Sequence, residues 1–198
     1  VTDHYSACGL TPFYMADRLC WSDELAPGIV GMDKMPDLMW TTDIAGHVTT
    51  RASEATGLTA GTPVIAGTID AAAEAISVGV TKPGDMMLMY GSTIFIIQIT
   101  GERVRDSRLW YGPWLFPGQH AAMAGHPTSG TLTHWMRRVM AGNLAPDAAI
   151  EVLNAEALAS PAGARGLVVL PYFSGTLTPL HDPGAKGLIF GLDLTHTR

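Results

Sequence analysis

The spacing of hydrophobic and polar positions changes near residue 85. Before it, an apolar run over residues 63–66 predicts a buried strand, and the alanine-rich run over residues 70–79 predicts a helix. Asp70, the first carboxylate after the strand, therefore lies where the strand gives way to the helix. A side chain at such a junction is presented at the edge of a sheet.

After residue 85 the apolar runs become shorter and predict mainly strands. We predict strands at 86–90, 94–99, 119–124 and 166–170, the last covered on both faces, and helices at 129–140 and 146–158. This order suggests an α/β fold with a mixed sheet of the ribonuclease H-like or actin-like kind. Residues 1–50 look irregular, with a short helix predicted at 12–19, where Thr11 and Pro12 supply a start signal.

Composition narrows the classes of function. The chain has 198 residues, of which 47% are hydrophobic, so it can form a substantial core. Its net charge of −6 argues against a nucleic-acid partner, and no apolar stretch reaches the ~18–20 residues that cross a bilayer. Two cysteines, Cys8 and Cys20, give no disulfide framework and favour a cytoplasmic location. Charged residues make up only 15%, which suggests that protein outside this chain covers part of its surface.

Two features could support chemistry. Asp70 could act as a general base, although a lone carboxylate at this position is more often a helix cap. The turn Gly91-Ser92-Thr93 lies between two predicted strands and could bind phosphate through backbone N–H and hydroxyl groups. The same triplet is also common in ordinary hairpin turns. Neither feature decides the function by itself.

A longer segment makes the pattern specific. Residues 170–192, LPYFSGTLTPLHDPGAKGLIFGL, resemble the segment LPYxxGERTPxxDPxARGxFxGL of the FGGY carbohydrate kinases, most closely the xylulokinase-like branch. The segment ending at Asp70 and the turn at residues 91–93 match the same family in the same order. The resemblance covers roughly residues 57–192 and is weak over residues 1–50.

This resemblance implies two actin-like domains with the active site in the cleft between them. Residues 1–83 would be the C-terminal part of the first, sugar-binding domain, and residues 84–198 the N-terminal part of the second, nucleotide-binding domain. Two family elements have no match here: an Asp-x-Gly-Thr hairpin that helps to hold Mg²⁺, and a glycine-rich segment that binds adenosine. We therefore expect a central fragment of a kinase that is inactive by itself.

The resemblance also assigns roles to particular residues. It makes Asp70 the catalytic base, and it places Asp70 and Thr68 against the sugar. Gly130 and His134 would line the nucleotide site, where the N-terminus of the second-domain helix favours anionic phosphate. His134 could equally be a surface residue of that helix. Gly91, Ser92 and Thr93 would bind the ATP phosphates, in an order that differs from the usual Gly-Thr-Ser.

The implied reaction transfers the γ-phosphoryl group of ATP, with Mg²⁺, to a hydroxyl group of a ketopentose or a related sugar. Ala71 replaces an Asn or Gln that contacts the sugar in many relatives, so the identity of the sugar is not determined by the resemblance. Glycerol, ribulose, gluconate and erythritol are alternative substrates, and a non-catalytic actin-like binding module is an alternative of another class. We also expect a homo-oligomer whose partner is a small-molecule sugar or polyol, with no nucleic-acid or membrane partner.

Overall fold

The computed structural model describes residues 1–197, which divide into two compact units. The first unit contains residues 1–87 and 97–123, and the second contains residues 88–96 and those from 124 onward. The predicted boundary between residues 83 and 84 refers to the domains of the intact protein and stays a prediction.

The N-terminal half is built from short elements. Two-stranded pairs link β1 with β4 in parallel, and β2 with β3 and β5 with β6 antiparallel. Helix α2 begins after Thr49, whose side chain accepts from the Ala52 N–H, and it ends at Gly57 with a φ of 77°. The bounds are β1 Thr2–Asp3, α1 His4–Ala7, β2 Tyr14–Met15, β3 Cys20–Trp21, β4 Leu38–Met39, β5 Ile44–His47, α2 Thr50–Thr56, β6 Pro63–Ile65 and α3 Asp70–Ser77.

The C-terminal half carries a four-stranded sheet with the order β7-β8-β10-β9. Two helices follow this sheet, and a two-stranded antiparallel pair, β11 with β12, comes last. The bounds are β7 Met86–Tyr90, β8 Ile94–Thr100, β9 Trp110–Pro113, β10 His120–His126, α4 Gly130–Met140, α5 Pro146–Ala159 with Pro146 as its first residue, β11 Val168–Leu170 and β12 Leu188–Phe190.

Most predicted elements after residue 60 are confirmed to within a few residues, but the helix predicted at 12–19 is wrong. That segment instead forms the hairpin β2–β3, in which Tyr14 pairs with Trp21. Tyr14 is buried, and its hydroxyl lies 2.9 Å from Nδ1 of His4. Strand pairing and burial of this ring therefore override the local helix signal of Thr11 and Pro12.

The burial predicted for two strands is also wrong. In β6, Val64 and Ile65 are about half exposed, and all three residues of β11 are exposed. Each strand pairs with one neighbour in a two-stranded ribbon, and the exposure of its side chains shows that no second layer of described residues covers it.

The core of the first unit supports the start of α3. Ala72 and Ala75, three positions apart on that helix, are completely buried. Trp114 is also completely buried and meets the edge of the Tyr5 ring at 5.2 Å between centroids. The small side chains let α3 pack closely and fix the backbone that carries Asp70. No helix within residues 1–197 has the length and apolar character needed to cross a membrane.

Candidate active site

Asp70 is the first residue of α3 and has an exposed side chain. The helix cap position is occupied by Ile69, which makes no side-chain cap bond. Oδ1 of Asp70 accepts a hydrogen bond from the Ala71 N–H at 2.7 Å, while Oδ2 has no hydrogen bond within residues 1–197. The carboxylate thus stabilises the first turn of the helix with one oxygen and leaves the other open to a ligand.

The backbone before Asp70 is anchored to residues near the N-terminus. The Gly67 N–H donates to the Thr41 carbonyl at 3.1 Å, and the Thr41 hydroxyl donates to Oδ2 of Asp3 at 2.8 Å. Asp3 is 2% exposed and also accepts from the Ser6 N–H at 3.1 Å. The buried Thr68 hydroxyl, in contrast, has no partner among the described residues.

Sequence reasoning missed this anchor. A single buried carboxylate such as Asp3 produces no periodic pattern of hydrophobic residues, so a search for such patterns does not detect it. Its partners Ser6 and Thr41 lie 3 and 38 residues away, so only the fold brings them together. The one available signal, an acid near the start of the chain, is too common to identify a buried carboxylate.

The turn at residues 91–93 joins β7 to β8 and is exposed. The Gly91 N–H donates to the Thr93 carbonyl at 2.9 Å. Within the described chain, the N–H and hydroxyl groups of Ser92 and Thr93 form no hydrogen bond. Two N–H donors and two hydroxyls are therefore free at one turn, which is the donor set that phosphate oxygens require.

The start of α4 holds this turn from the opposite side. The Gly130 N–H donates to the Gly91 carbonyl at 2.9 Å, and the Ser129 N–H donates to the Ser92 carbonyl at 3.0 Å. The Thr131 hydroxyl adds a bond to the Ser92 carbonyl at 3.1 Å. These N–H groups therefore fix the turn, and the role of Gly130 in lining the nucleotide site stays a prediction. A ligand there would still benefit from the positive end of the helix dipole.

Gly130 is required by this close approach. A Cβ atom added to it would lie 2.9 Å from the Gly91 carbonyl oxygen, closer than such atoms pack. His134 lies one turn further along α4, is exposed, and forms no hydrogen bond within the part of the chain that the structure describes. The two interpretations of His134, nucleotide contact and surface residue, both remain open.

The segment at residues 170–182 supports the same region of the second unit. The Thr178 hydroxyl accepts from the Gly125 N–H, and the Thr178 N–H donates back to the Gly125 carbonyl, both at 3.1 Å. The Phe173 ring contacts the Trp135 ring of α4 at 4.8 Å between centroids. The segment therefore fixes α4, which in turn holds the turn at residues 91–93.

Ring stacking and a hydroxyl hydrogen bond also connect this segment to the end of β10 and the residues after it. Tyr172 stacks on His126 at 5.6 Å between centroids, and the Thr128 hydroxyl donates to the Pro171 carbonyl. Burial lowers the pKa of His126, whose Nδ1 accepts a hydrogen bond from the Thr128 N–H at 3.1 Å. A neutral ring is favoured here, which suits its stacking role.

A metal site is not evident. No group of three His, Cys, Asp or Glu side chains within residues 1–197 could hold a metal ion.

Comparison with models of known protein families shows which family this chain belongs to. The model for the FGGY family of carbohydrate kinases, C-terminal domain, matches residues 86–198. The chain belongs to the FGGY family of carbohydrate kinases. This agrees with the resemblance carried by residues 61–70, 91–93 and 170–192.

Known members of the family are similar over most of this FGGY chain. A xylulose kinase from Bacillus subtilis is 28% identical over 200 residues, which is 100% of this chain and 39% of that protein. A gluconokinase from the same species is 26% identical over 203 residues, with 98% and 39% covered. The crystal structure of a xylulose kinase from Rhodospirillum rubrum superposes with a TM-score of 0.75 at 37% identity, covering 82% of this chain and 32% of that one.

These matches confirm the predicted α/β fold of the actin-like kind. The FGGY chain spans about two fifths of the length of the curated relatives that it matches.

Proposed function

We propose that this chain belongs to an enzyme that transfers the γ-phosphoryl group of ATP to a hydroxyl group of a ketopentose or related sugar. The observation that carries the proposal is the exposed turn at residues 91–93, where the donors of Ser92 and Thr93 are free while the Gly91 and Ser92 carbonyls are bound by the start of α4. Family membership supports the kinase class. Asp70 would supply the second group that the reaction needs, a general base.

Asp70 is proposed as the general base. A sugar hydroxyl is a weak nucleophile, and a carboxylate within about 2.6–3.2 Å can accept its proton as the phosphoryl group transfers. Oδ2 is available for this role because only Oδ1 is hydrogen-bonded. The unpartnered Thr68 hydroxyl, two residues earlier, is proposed to contact the same sugar.

We propose that the nucleotide binds to the second unit. Ser92 and Thr93 would donate to phosphate oxygens, and the absence of a side chain at Gly91 leaves the backbone approachable. Gly130 and His134 are proposed to lie along the nucleotide. When bound, ATP supplies the phosphoryl group, and its adenosine would need contacts beyond these residues.

Mg²⁺ is proposed for the intact enzyme, where it would neutralise phosphate charge. The resemblance to the family implies that an Asp-x-Gly-Thr hairpin, which has no match in these 198 residues, would help to hold it. For the same reason we propose that the 198 residues alone do not turn over.

The proposed function is tested by assaying the intact protein with ATP, Mg²⁺ and a panel containing xylulose, ribulose, gluconate, glycerol and erythritol. Phosphorylated product is detected by mass spectrometry, so that simple ATP hydrolysis is not counted. We expect one compound to be phosphorylated, with a ketopentose first because the relatives include xylulose kinases. Product from none of the compounds, with nucleotide binding intact, would instead favour the non-catalytic binding module.

Location and assembly are also proposals. Cys8 and Cys20 are free, which suits a reducing cytoplasm. Phe190, Leu192 and Leu194 are exposed near the end of the second unit, and exposed apolar patches favour association. We therefore propose that the chain self-associates, and a monomeric mass by light scattering would contradict this.

A further inference from the structure

The first unit contains a cavity of about 400 Å³ that none of the residues proposed for phosphoryl transfer lines. Its walls come from the turn after β2, from Trp40, from residues 103 and 105, and from the hairpin β9–β10. The volume falls within the range of roughly 300–1,000 Å³ that is usual for small-molecule sites.

The charge of this cavity is opposite to that of the chain. Two arginines, Arg103 and Arg105, line it, and Asp17 is the only acid that does so. Arg103 forms an ion pair with Asp17, whereas Arg105 forms no ion pair within residues 1–197. An excess of one positive charge therefore remains at the cavity of a chain whose net charge is −6, which favours a small anion.

One of the two arginines, Arg103, is held in place by an aromatic ring. The Arg103 guanidinium lies over the Tyr111 ring, 4.5 Å from its centroid. Tyr111 in turn stacks on His120, and its hydroxyl lies 2.9 Å from Nδ1 of that ring. Stacking of this kind preorganises a guanidinium, so less entropy is lost when an anion binds.

Two polar atoms of the lining residues have no partner. Nε of Arg103 and Oε1 of Gln119 are buried and make no hydrogen bond among the described residues. An unpaired buried polar atom is costly, so a ligand that pairs with it gains affinity. Nε requires an acceptor, such as a phosphate oxygen, and Oε1 requires a donor, such as a hydroxyl group.

We propose that this cavity binds a phosphate monoester of a small hydroxylated compound, that is, a sugar phosphate. Arg103 and Arg105 would donate to the phosphate, which guanidinium groups recognise through paired hydrogen bonds. Gln119 would accept from a sugar hydroxyl, and the Trp40 ring would contact the carbon skeleton. The site is separate from the proposed active site and is suited to sensing a phosphorylated metabolite.

The test is isothermal titration of the intact protein with three probes: glucose 6-phosphate, inorganic phosphate and glucose. We expect the ester to bind, inorganic phosphate to compete with it more weakly, and glucose not to bind. Arg105→Gln should weaken the ester roughly tenfold or more, because a charged hydrogen bond is lost. Arg51→Gln, an exposed arginine of α2 outside the cavity, is the matched control and should leave binding unchanged.

Measurements of turnover distinguish a ligand in this cavity from a ligand in the active site. Arg105→Gln should keep kcat and the KM values for sugar and ATP within about twofold, as expected for a surface change. An ester that binds the Arg105→Gln protein as tightly as the parent would overturn the proposal, and so would loss of turnover in that variant. Equal affinity for inorganic phosphate and for the ester would overturn the claim that the cavity recognises the sugar as well as the phosphate.

Discussion

Asp70 and the turn at residues 91–93 both follow a short strand, yet different parts of the chain hold them. The Asp70 carboxylate accepts its hydrogen bond from the next residue. The turn accepts hydrogen bonds through its carbonyls from the start of α4, including one from Thr131, which lies 39 residues later. A side chain held locally can be changed with little effect on its surroundings, whereas the turn depends on every element that positions the helix.

The largest expected effect comes from the locally held residue. Asp70→Asn should lower kcat by about 10²–10⁴-fold, because the amide cannot accept the sugar proton. Folding should be unaffected, since the amide oxygen can still accept from the Ala71 N–H. Steady-state kinetics and circular dichroism of the intact protein check both points. Glu74→Gln, an exposed change one turn later on α3, is the control, and near-normal kcat in Asp70→Asn would contradict the assignment.

The next effect tests the donors of the turn. Replacing Ser92 by Ala together with Thr93 by Val removes two hydroxyls that are free to bind phosphate. Hydrogen bonds to charged groups are each worth about 1.5–3 kcal/mol, so the KM for ATP should rise by more than tenfold. Ser107→Ala, an exposed serine of a loop in the first unit, should leave it unchanged. An unaltered KM in the double variant would show that the turn does not contact ATP.

Gly130→Ala tests whether α4 holds the turn. The added Cβ would meet the Gly91 carbonyl oxygen at 2.9 Å and push the turn aside. A small misplacement of a binding group is costly, and we expect the KM for ATP to rise about tenfold. Gly46→Ala is the control, since a Cβ there meets no atom within 4 Å. Similar KM values for the two variants would contradict the dependence of the turn on α4.

The smallest effect concerns one hydroxyl behind the turn. Thr131→Val removes the hydrogen bond to the Ser92 carbonyl but keeps the backbone bonds of Ser129 and Gly130. A neutral, exposed hydrogen bond contributes about 0.5–1.5 kcal/mol, so the KM for ATP should rise roughly threefold. Thr131→Ser should restore it, because the donor returns. Failure of the serine to restore the parent value would show that the methyl group, not the hydroxyl, matters.

The sequence predicted elements more reliably in some parts of the chain than in others. Strand β7 and helix α4 were predicted within one residue at each end, because their apolar positions repeat with a clear period. The hairpin β2–β3 was mistaken for a helix, because its stability comes from the buried Tyr14 and from pairing with Trp21. A local start signal carries no information about either contact.

For this protein the sequence alone determined the family, the α/β order of elements, and the placement of Asp70 at the start of a helix. Those features depend on local order and spacing along the chain. The tertiary structure decided that the first N–H groups of α4 bind the carbonyls of residues 91 and 92, and that Asp3 is buried against Thr41. Each of these contacts joins residues 37 or more positions apart, and only folding brings such groups within hydrogen-bond distance.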